Sequence, residues 1–253
     1  MATPDQANAQ RFAVILAAGK GTRMKSDIAK VLHPFRGRPL VTYPIDAALA
    51  AGADAVIPVT GYQGSTVRAA VGEHPGVAES QVRFARQEEQ KGTGHAVLCA
   101  LGQFPDSDAL VWILNGDTPL VRAETLAALA EAARNSDAGM AMTVVRPADK
   151  TGYGRLVRDQ AGQPKYIREE RDCSPEEFAV EECNAGMYCV RAGHLHRELP
   201  LLGSENVQGE IYLTDLLELR ARAGAVGVVE LDALEAAGIN TVEQLHALEA
   251  AAS

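Results

Sequence analysis

A short segment near the start of the chain combines small residues with positive charge. It reads LAAGKGTRM over residues 16–24, and Lys25 and Lys30 follow it. Glycine and alanine let backbone N–H groups approach phosphate oxygens closely, while Arg23 and Lys30 can neutralise a triphosphate and a departing pyrophosphate. Four basic residues within eleven positions stand out in a chain of formal charge −9. The segment therefore predicts a phosphate-binding loop rather than an incidental surface turn.

The spacing of this loop excludes two familiar nucleotide-binding motifs. A dinucleotide fingerprint requires a third glycine where Met24 stands. A P-loop requires Gly-Lys-Ser/Thr after four spacer residues from an earlier glycine, and the segment contains no such sequence. We therefore expect a phosphate site of another kind, placed after a buried first strand, where open α/β sheets bind ligands.

A single aspartate follows the most apolar run of the chain. Asp117 stands in NGDTPL (residues 115–120), three positions after the run Leu110–Leu114. A strand at this run places the carboxylate at its C-terminal end, on the same edge as the glycine-rich loop. Mg²⁺ prefers hard oxygen ligands and keeps water and substrate phosphates, so one or two protein ligands suffice. The alternative is an Asx-turn stabilised by Gly116 and Pro119.

Residues 87–95, which read QEEQKGTGH, form a polar turn between a strand predicted at 82–85 and a helix predicted at 93–101. Gln87 offers a donor and an acceptor, which suit an imide edge such as that of uracil. Thr93 would also serve as an ordinary helix N-cap. His95 is interpreted as a helix-surface or packing residue rather than a catalytic base.

Residues 151–155 and a pair of acidic residues are further candidates. The segment TGYGR could present backbone N–H groups to a sugar, or it could be a flexible turn. Taken alone, Glu169 and Glu170 are most simply explained as a solvated face. No Ser–His–Asp or Cys–His arrangement can be argued from the spacing.

Strand-like and helix-like segments alternate between residues 12 and 145. Apolar runs such as 12–16 and 109–114 predict buried strands, and an Ala- and Leu-rich segment at 123–134 predicts a helix. This alternation is typical of βαβ units. We therefore expect an α/β fold with a Rossmann-like, mostly parallel sheet and helices on both faces.

The second half of the chain has a different character. From about residue 146, glycines, a proline and short alternating pieces predict a small β-rich lobe over about 146–212. Thr241 with Gln244 three residues later is a capping box, which predicts a terminal helix within about 241–253.

Length and composition limit the possible classes of protein. The chain has 253 residues, 47% of them apolar, which is enough for one large domain. A formal charge of −9 argues against general nucleic-acid binding, which needs a basic face. We expect a flexible tail at residues 1–10 and a single domain at 11–253, with no signal peptide, no membrane span and a cytoplasmic location. The four cysteines form no Cys-x-x-Cys pair, so a structural zinc site is not expected.

Together these segments resemble the sugar-1-phosphate nucleotidyltransferase family over about residues 12–242. The ordered set is similar to the uridylyltransferase half of bifunctional N-acetylglucosamine-1-phosphate uridylyltransferase/glucosamine-1-phosphate acetyltransferases. The resemblance implies a nucleotide-diphospho-sugar transferase fold in which residues 146–212 bind the sugar. The matching segments are LAAGKGTRM (16–24), KVLH (30–33), QEEQKGTGHA (87–96), NGDTPL (115–120), TGYGR (151–155), Asn184-Ala185-Gly186, QGEIYLTD (208–215) and Gly238-Ile239-Asn240.

The resemblance also implies substrates and residue roles. UTP and N-acetylglucosamine-1-phosphate would react, with Mg²⁺ as cofactor, to give UDP-N-acetylglucosamine and pyrophosphate. Catalysis would depend on Arg23, Lys30 and Asp117. Glu169 is assigned to the sugar, and its neighbour Glu170 stays open as the alternative. The nucleotide would be bound by Leu16, Ala17, Ala18, Gly19, Lys30, Gln87, Gly92 and Thr93, the sugar by Gly154, Glu169 and Asn184, and the metal by Asp117 and Asn240.

The sequence departs from the family pattern at several positions. Ala29 stands where proline is common, Asn115 where some members have tyrosine, and Ala-Ala-Gly-Ile precedes Asn240 in place of an acidic-Gly-Val form. None of these departures removes a proposed charge or metal ligand. We expect no β-helix acetyltransferase domain within residues 11–253. Since relatives trimerise mainly through that domain, we expect a monomer or weak dimer.

Two alternative functions stay open. The chain could be a related transferase with another base or sugar, or a nucleotide-sugar-binding protein that kept the fold without activity. The presence of Arg23, Lys30, Asp117 and Asn240 argues against the second alternative.

Overall fold

The computed structural model describes residues 9–252, so most of the predicted N-terminal tail lies outside the described residues. Nine of the described strands form one sheet, and two form a small separate ribbon. The strands are β1 (Arg11–Ala17), β2 (Pro34–Phe35), β3 (Arg38–Pro39), β4 (Ala55–Thr60), β5 (Ala85–Arg86), β6 (Leu110–Asn115), β7 (Met140–Val145), β8 (Arg155–Arg158), β9 (Pro164–Arg168), β10 (Cys183–Arg191) and β11 (Gly227–Glu230).

The order of strands across the sheet is β11-β7-β10-β6-β1-β4-β5, with the hairpin of β8 and β9 attached beside β10. Along this order, neighbouring strands run parallel except where β10 pairs with β6 and β7, and the attached β8 is antiparallel to both β10 and β9. The predicted mostly parallel sheet is therefore confirmed. Since the chain can join parallel strands only by long crossovers, helices lie between most of them.

The α-helices pack on both faces of the sheet, as expected. Along β1, Phe12 and Val14 belong to one apolar cluster, whereas Ala13 and Ile15 belong to another. Alternate side chains of a strand point to opposite faces, so each cluster fills one side of the sheet. The helices are α1 (Thr42–Ala50), α2 (Gly64–Gly72), α3 (Thr93–Ala100), α4 (Ala123–Asn135), α5 (Pro175–Phe178), α6 (Ala192–Glu198), α7 (Asp215–Ala223) and α8 (Val242–Ala251).

Two local predictions can be compared directly with the structure. Thr241 and Gln244 form the predicted capping box at the start of α8. The strand expected at residues 82–85 is shorter and shifted, because β5 pairs with β4 only through Ala85 and Arg86, and Val82 makes an isolated bridge.

Among residues 9–252, no helix is both long enough and apolar enough to cross a membrane. The four cysteines carry free thiols.

Candidate active site

The ends of β1 and β6 bring the glycine-rich loop and Asp117 to the same edge of the sheet. These strands are adjacent and parallel, and Leu16 pairs in register with Asn115. Just beyond the strands, Gly116 N donates to Leu16 O at 3.0 Å. A Cβ at Gly116 would lie 2.9 Å from that same oxygen, so this close approach requires glycine. Asp117 therefore follows directly from the point where the two strand ends meet.

The glycine-rich loop turns sharply at Gly21 and brings Lys30 against it. Gly21 has φ +68°, and a side chain there would collide with the Lys30 Cβ. A short 3₁₀ turn follows at Thr22–Met24, in which the Met24 side chain is buried. This burial anchors the turn and leaves its neighbour Arg23 exposed. Both predicted phosphate-binding cations thus lie at the sheet edge.

Four predicted residues form one charged cluster. The Lys30 ammonium is ion-paired with the Asp117 carboxylate and donates to Asn240 Oδ1 at 2.9 Å. Arg23 Nη2 donates to the same amide oxygen at 2.8 Å. Ile239 N donates to Asp117 O at 3.0 Å, which holds the segment containing Asn240 beside the end of β6. Residues distant in sequence are thereby assembled around the Lys30 ammonium.

The cluster suits a hard divalent cation. Asp117 and Asn240 each direct an oxygen at one ammonium group, so both oxygens can reach a single positive charge. Carboxylate and amide oxygens are ligands that Mg²⁺ accepts, with water and substrate phosphates completing its shell. Residues 9–252 hold no group of three or more His, Cys, Asp or Glu side chains placed for a metal. A purely protein-built metal cage is thus absent from the described part of the chain, and the two-ligand site stays a prediction.

A cavity of about 480 Å³ adjoins this cluster. It connects the predicted metal and phosphate residues with the predicted sugar residues. Leu16 and Thr93 line it as well. Its walls include Arg23, Asp117 and Asn240 as well as Gly154, Glu169 and Asn184.

Glu169 is held inside this cavity rather than on a solvated face, so the simplest interpretation of the acidic pair is wrong for this residue. Its carboxylate accepts from Thr214 Oγ1 at 2.9 Å. Burial raises the pKa of Glu169, and the nearby Asp215 and Asp172 act in the same direction, against the hydrogen bond from Thr214. Glu170 is placed differently, because its carboxylate accepts from Gly152 N at 2.9 Å.

Glycine at position 154 leaves room beside the Glu169 carboxylate. A Cβ there would lie 2.8 Å from Ile167 Cγ2 and 3.5 Å from Glu169 Oε2. Asn184 N donates to Gly154 O at 2.9 Å, which ties two of the predicted sugar residues together. The Asn184 side chain accepts from Gly186 N at 3.0 Å, so its amide group has a defined orientation.

Gln87 and Gly92, which are predicted to bind the nucleotide, do not line this cavity, and Gln87 lies beside the glycine-rich loop. Gln87 is buried at the end of β5, and its Nε2 donates to Gly92 O at 3.0 Å. Ala18 O accepts from Tyr62 N at 3.0 Å and from Gln90 Nε2 at 2.8 Å. A Cβ at Gly61 would contact both Ala18 O and Gln87 O. The loop that holds Ala17, Ala18 and Gly19 and the loop that holds Gln87 are therefore close neighbours.

The segment from Gly92 to Thr93 packs against residues 211–213. Gly92 has φ +101°, and a Cβ there would lie 2.5 Å from Ile211 O. The N-cap of α3 is Gly92, so the interpretation of Thr93 as N-cap is wrong. Instead Thr93 Oγ1 accepts from Leu213 N at 3.0 Å.

Some residues of the cavity were not among the predicted site residues. Asn115 and Thr214 lie in segments that carried the family resemblance, so their positions were indicated without a role. Tyr188 lies within a strand and has no distinguishing sequence signal. Its hydroxyl is buried, and burial raises its pKa, against an opposing effect of the Asn184 side chain. Gln244 also lines the cavity, although its sequence pattern indicated only a helix cap.

Comparison with known proteins gives both a family and a fold. The model of the MobA-like NTP transferase domain matches residues 13–198. The bifunctional protein GlmU of Anaeromyxobacter dehalogenans is 49% identical over 228 residues, covering 90% of this chain and 46% of that protein. GlmU of Sorangium cellulosum is 46% identical over 239 residues, covering 94% and 50% respectively. The chain thus spans about half the length of these relatives.

A solved structure of UDP-glucose pyrophosphorylase complexed with UDP-glucose shares the fold. Its TM-score is 0.73 at 19% identity, and the match covers 96% of this chain and 98% of the other.

Proposed function

Since this chain belongs to the family of MobA-like NTP transferase domains, we propose that it transfers the uridylyl group of UTP to N-acetylglucosamine-1-phosphate, with release of pyrophosphate. The observation that carries the proposal is that the charged cluster and a predicted sugar ligand adjoin the same cavity. Arg23, Lys30, Asp117 and Asn240 cluster at one side of a cavity that Glu169 also lines. Similarity to two bifunctional GlmU proteins over most of this chain supports the same assignment.

The reaction is an in-line displacement at phosphorus. An oxygen of the sugar phosphate attacks the α-phosphorus of UTP, the P–O bond to the β-phosphate breaks, and pyrophosphate leaves. The attacking phosphate is already ionised, so the protein needs neither a nucleophile of its own nor a strong base. Positioning and charge neutralisation are the main contributions to catalysis.

The charged cluster supplies that neutralisation. Arg23 and Lys30 would bind the phosphates and offset the charge that accumulates on the departing pyrophosphate. Mg²⁺ held by Asp117 and Asn240 would supply Lewis-acid polarisation of the phosphate oxygens. Lys30 contacts both residues that would hold the cation, so its positive charge would act on the same phosphates.

The other side of the cavity suits a sugar. Glu169 offers carboxylate oxygens to sugar hydroxyls, and Asn184 offers amide groups to a hydroxyl or an acetamido group. Gly154 leaves space against the Glu169 carboxylate. The volume of about 480 Å³ falls within the usual range for small-molecule sites.

A substrate panel tests the proposal. Pyrophosphate release would be measured with four nucleoside triphosphates and several sugar-1-phosphates in the presence of Mg²⁺. The highest kcat/KM is expected for UTP with N-acetylglucosamine-1-phosphate. A higher value with another sugar or base would assign a sister activity, and nucleotide-sugar binding without pyrophosphate release under any combination would contradict an enzymatic role.

A further inference from the structure

Gln87 has a fixed side-chain orientation. Its backbone N donates to Thr60 O at 2.8 Å, which holds the residue at the end of β5. Its buried side-chain Nε2 donates to Gly92 O at 3.0 Å. A backbone carbonyl can only accept a hydrogen bond, so this contact identifies the nitrogen of the amide group and fixes the direction in which the amide points.

The second amide hydrogen of Gln87 meets His95. The distance between Gln87 Nε2 and His95 Nδ1 is 3.1 Å. Since the amide nitrogen is a donor, Nδ1 has to accept, and the imidazole proton then resides on Nε2. That nitrogen faces Cys99 Sγ at 3.9 Å, one turn further along α3.

We propose that His95 is a positioning residue that presents the side-chain oxygen of Gln87 to the base and thereby selects uracil over cytosine. Both amide hydrogens of Gln87 are used within the protein, and its Oε1 accepts no hydrogen bond from residues 9–252. The oxygen is therefore the group available to a ligand. This inference rests on the proposed function, because it takes a uridine nucleotide as the substrate.

A fixed acceptor distinguishes the two pyrimidines at ring position N3. Uracil carries an N–H there, which can donate to Gln87 Oε1, whereas cytosine carries a lone pair that would face another lone pair. A site built around one hydrogen-bonding pattern rejects a ligand of the opposite pattern because buried polar groups are left unpaired. If the amide could rotate by half a turn, Nε2 would serve cytosine instead.

The contact with His95 opposes that rotation. With His95 absent, the Gly92 carbonyl alone would hold the amide, and the difference in energy between its two orientations would shrink by roughly one hydrogen bond. Asparagine at position 95 offers a side-chain oxygen near the position of Nδ1, whereas leucine offers only apolar atoms. The pair of variants His95→Asn and His95→Leu therefore separates the acceptor from simple packing.

The experiment compares kcat/KM for UTP and CTP in the full chain, with N-acetylglucosamine-1-phosphate as the second substrate. The ratio of the two values is expected to fall about fivefold or more in His95→Leu. It should stay within about twofold of the wild-type ratio in His95→Asn, since an acceptor is retained. An unchanged ratio in His95→Leu, or equal losses in both variants, would overturn the inference.

A measurement on the unmodified protein keeps the test independent of how His95→Leu folds. Nitrogen-15 chemical shifts of the His95 imidazole report which ring nitrogen carries the proton. We expect an unprotonated Nδ1 and a protonated Nε2 at neutral pH. A proton on Nδ1 would place two donors against each other and rule out the proposed contact.

Failure of the inference can be told apart from failure of the proposed function. If UTP supports pyrophosphate release but the base preference does not depend on His95, only the inference fails. If no sugar phosphate supports release, calorimetric binding of UMP and CMP still reports base preference. Preferential UMP binding that is lost in His95→Leu would support the role of His95, and equal or absent binding in the wild type would overturn both.

Discussion

The Lys30 ammonium is ion-paired with the Asp117 carboxylate across a separation of 87 positions in the chain. Both side chains are mostly buried, with exposed fractions of 18% and 13%. Screening by water is weaker at such a site than at the surface, so each charge strongly influences the other. Lys30 therefore offsets the negative charge of the proposed metal ligand before any cation arrives.

Replacement of Asp117 tests the proposed metal site. Asp117→Asn is expected to lower kcat for pyrophosphate release by about 100-fold or more. The substitution removes the carboxylate proposed to hold Mg²⁺ beside the reacting phosphate. Titration with Mg²⁺ should also show a weaker dependence on the metal. Asp108→Asn is a matched control, since its side chain is 89% exposed and it precedes β6 rather than following it. Wild-type rates in Asp117→Asn would remove the metal assignment.

Replacement of Lys30 should have a smaller effect. Lys30→Ala removes one of two cations near the phosphates, while Arg23 keeps its contact with Asn240. We expect kcat to fall by about 10-fold to 100-fold, measured as single-turnover pyrophosphate release at saturating UTP. A loss larger than that of Asp117→Asn would show that the lysine, and not the metal ligand, is the main source of neutralisation.

The backbone at Gly92 gives a stability prediction. Gly92→Ala combines a Cβ 2.5 Å from Ile211 O with φ +101°, so it should reduce the free energy of unfolding by about 1–3 kcal/mol. Urea denaturation measures this change. Gly102→Ala serves as the control, because a Cβ there meets nothing within 4 Å. Equal effects of the two variants would contradict the described packing of Gly92 on Ile211.

Glu169 and Glu170 can be separated by kinetics. Glu169→Gln should raise KM for the sugar phosphate about 10-fold, since a charge-assisted hydrogen bond becomes a neutral one, and should leave KM for UTP nearly unchanged. Glu170→Gln is the matched control, because that carboxylate contacts Gly152 N. A larger effect of Glu170→Gln would reassign the sugar ligand to the neighbouring residue.

The raised pKa of Glu169 also predicts a dependence of stability on pH. A carboxyl group whose pKa is raised on folding binds protons more tightly in the folded state, so its ionisation at neutral pH destabilises the fold. Glu169→Gln should therefore have a higher thermal midpoint than the wild type at neutral pH. The difference should decrease as the pH falls through the raised value and vanish below the ordinary glutamate pKa. A lower midpoint for the variant at neutral pH would contradict the cause assigned here.

Local patterns in the sequence were sufficient for most of the fold. Apolar runs predicted β1 and β6, and the comparisons confirm the resemblance to nucleotidyltransferases. The resemblance also indicated residues that the structure places around one cavity. These predictions succeeded because strands, helices and glycine turns depend on residues close together in the chain.

Long-range contacts could not be predicted in this way. Glu169 appears as a surface residue from its neighbours, yet Thr214, 45 positions away, supplies its hydrogen bond. The contact of Arg23 with Asn240 spans 217 positions. Periodicity gives the face on which a side chain lies but not the distant segment that covers it. The contact of His95 with Gln87 likewise required side-chain geometry.

Residues 211–214 contact both ends of the proposed substrate site. Thr93 accepts from Leu213 N, Gly94 N donates to Ile211 O at 2.8 Å, and the next hydroxyl, that of Thr214, binds Glu169. A displacement of the loop proposed to bind the base would accordingly displace the Thr214 hydroxyl that donates to the Glu169 carboxylate. If binding of one substrate shifts this segment, it would change the affinity for the other, and by thermodynamic reciprocity the two substrates would affect each other's binding by the same factor.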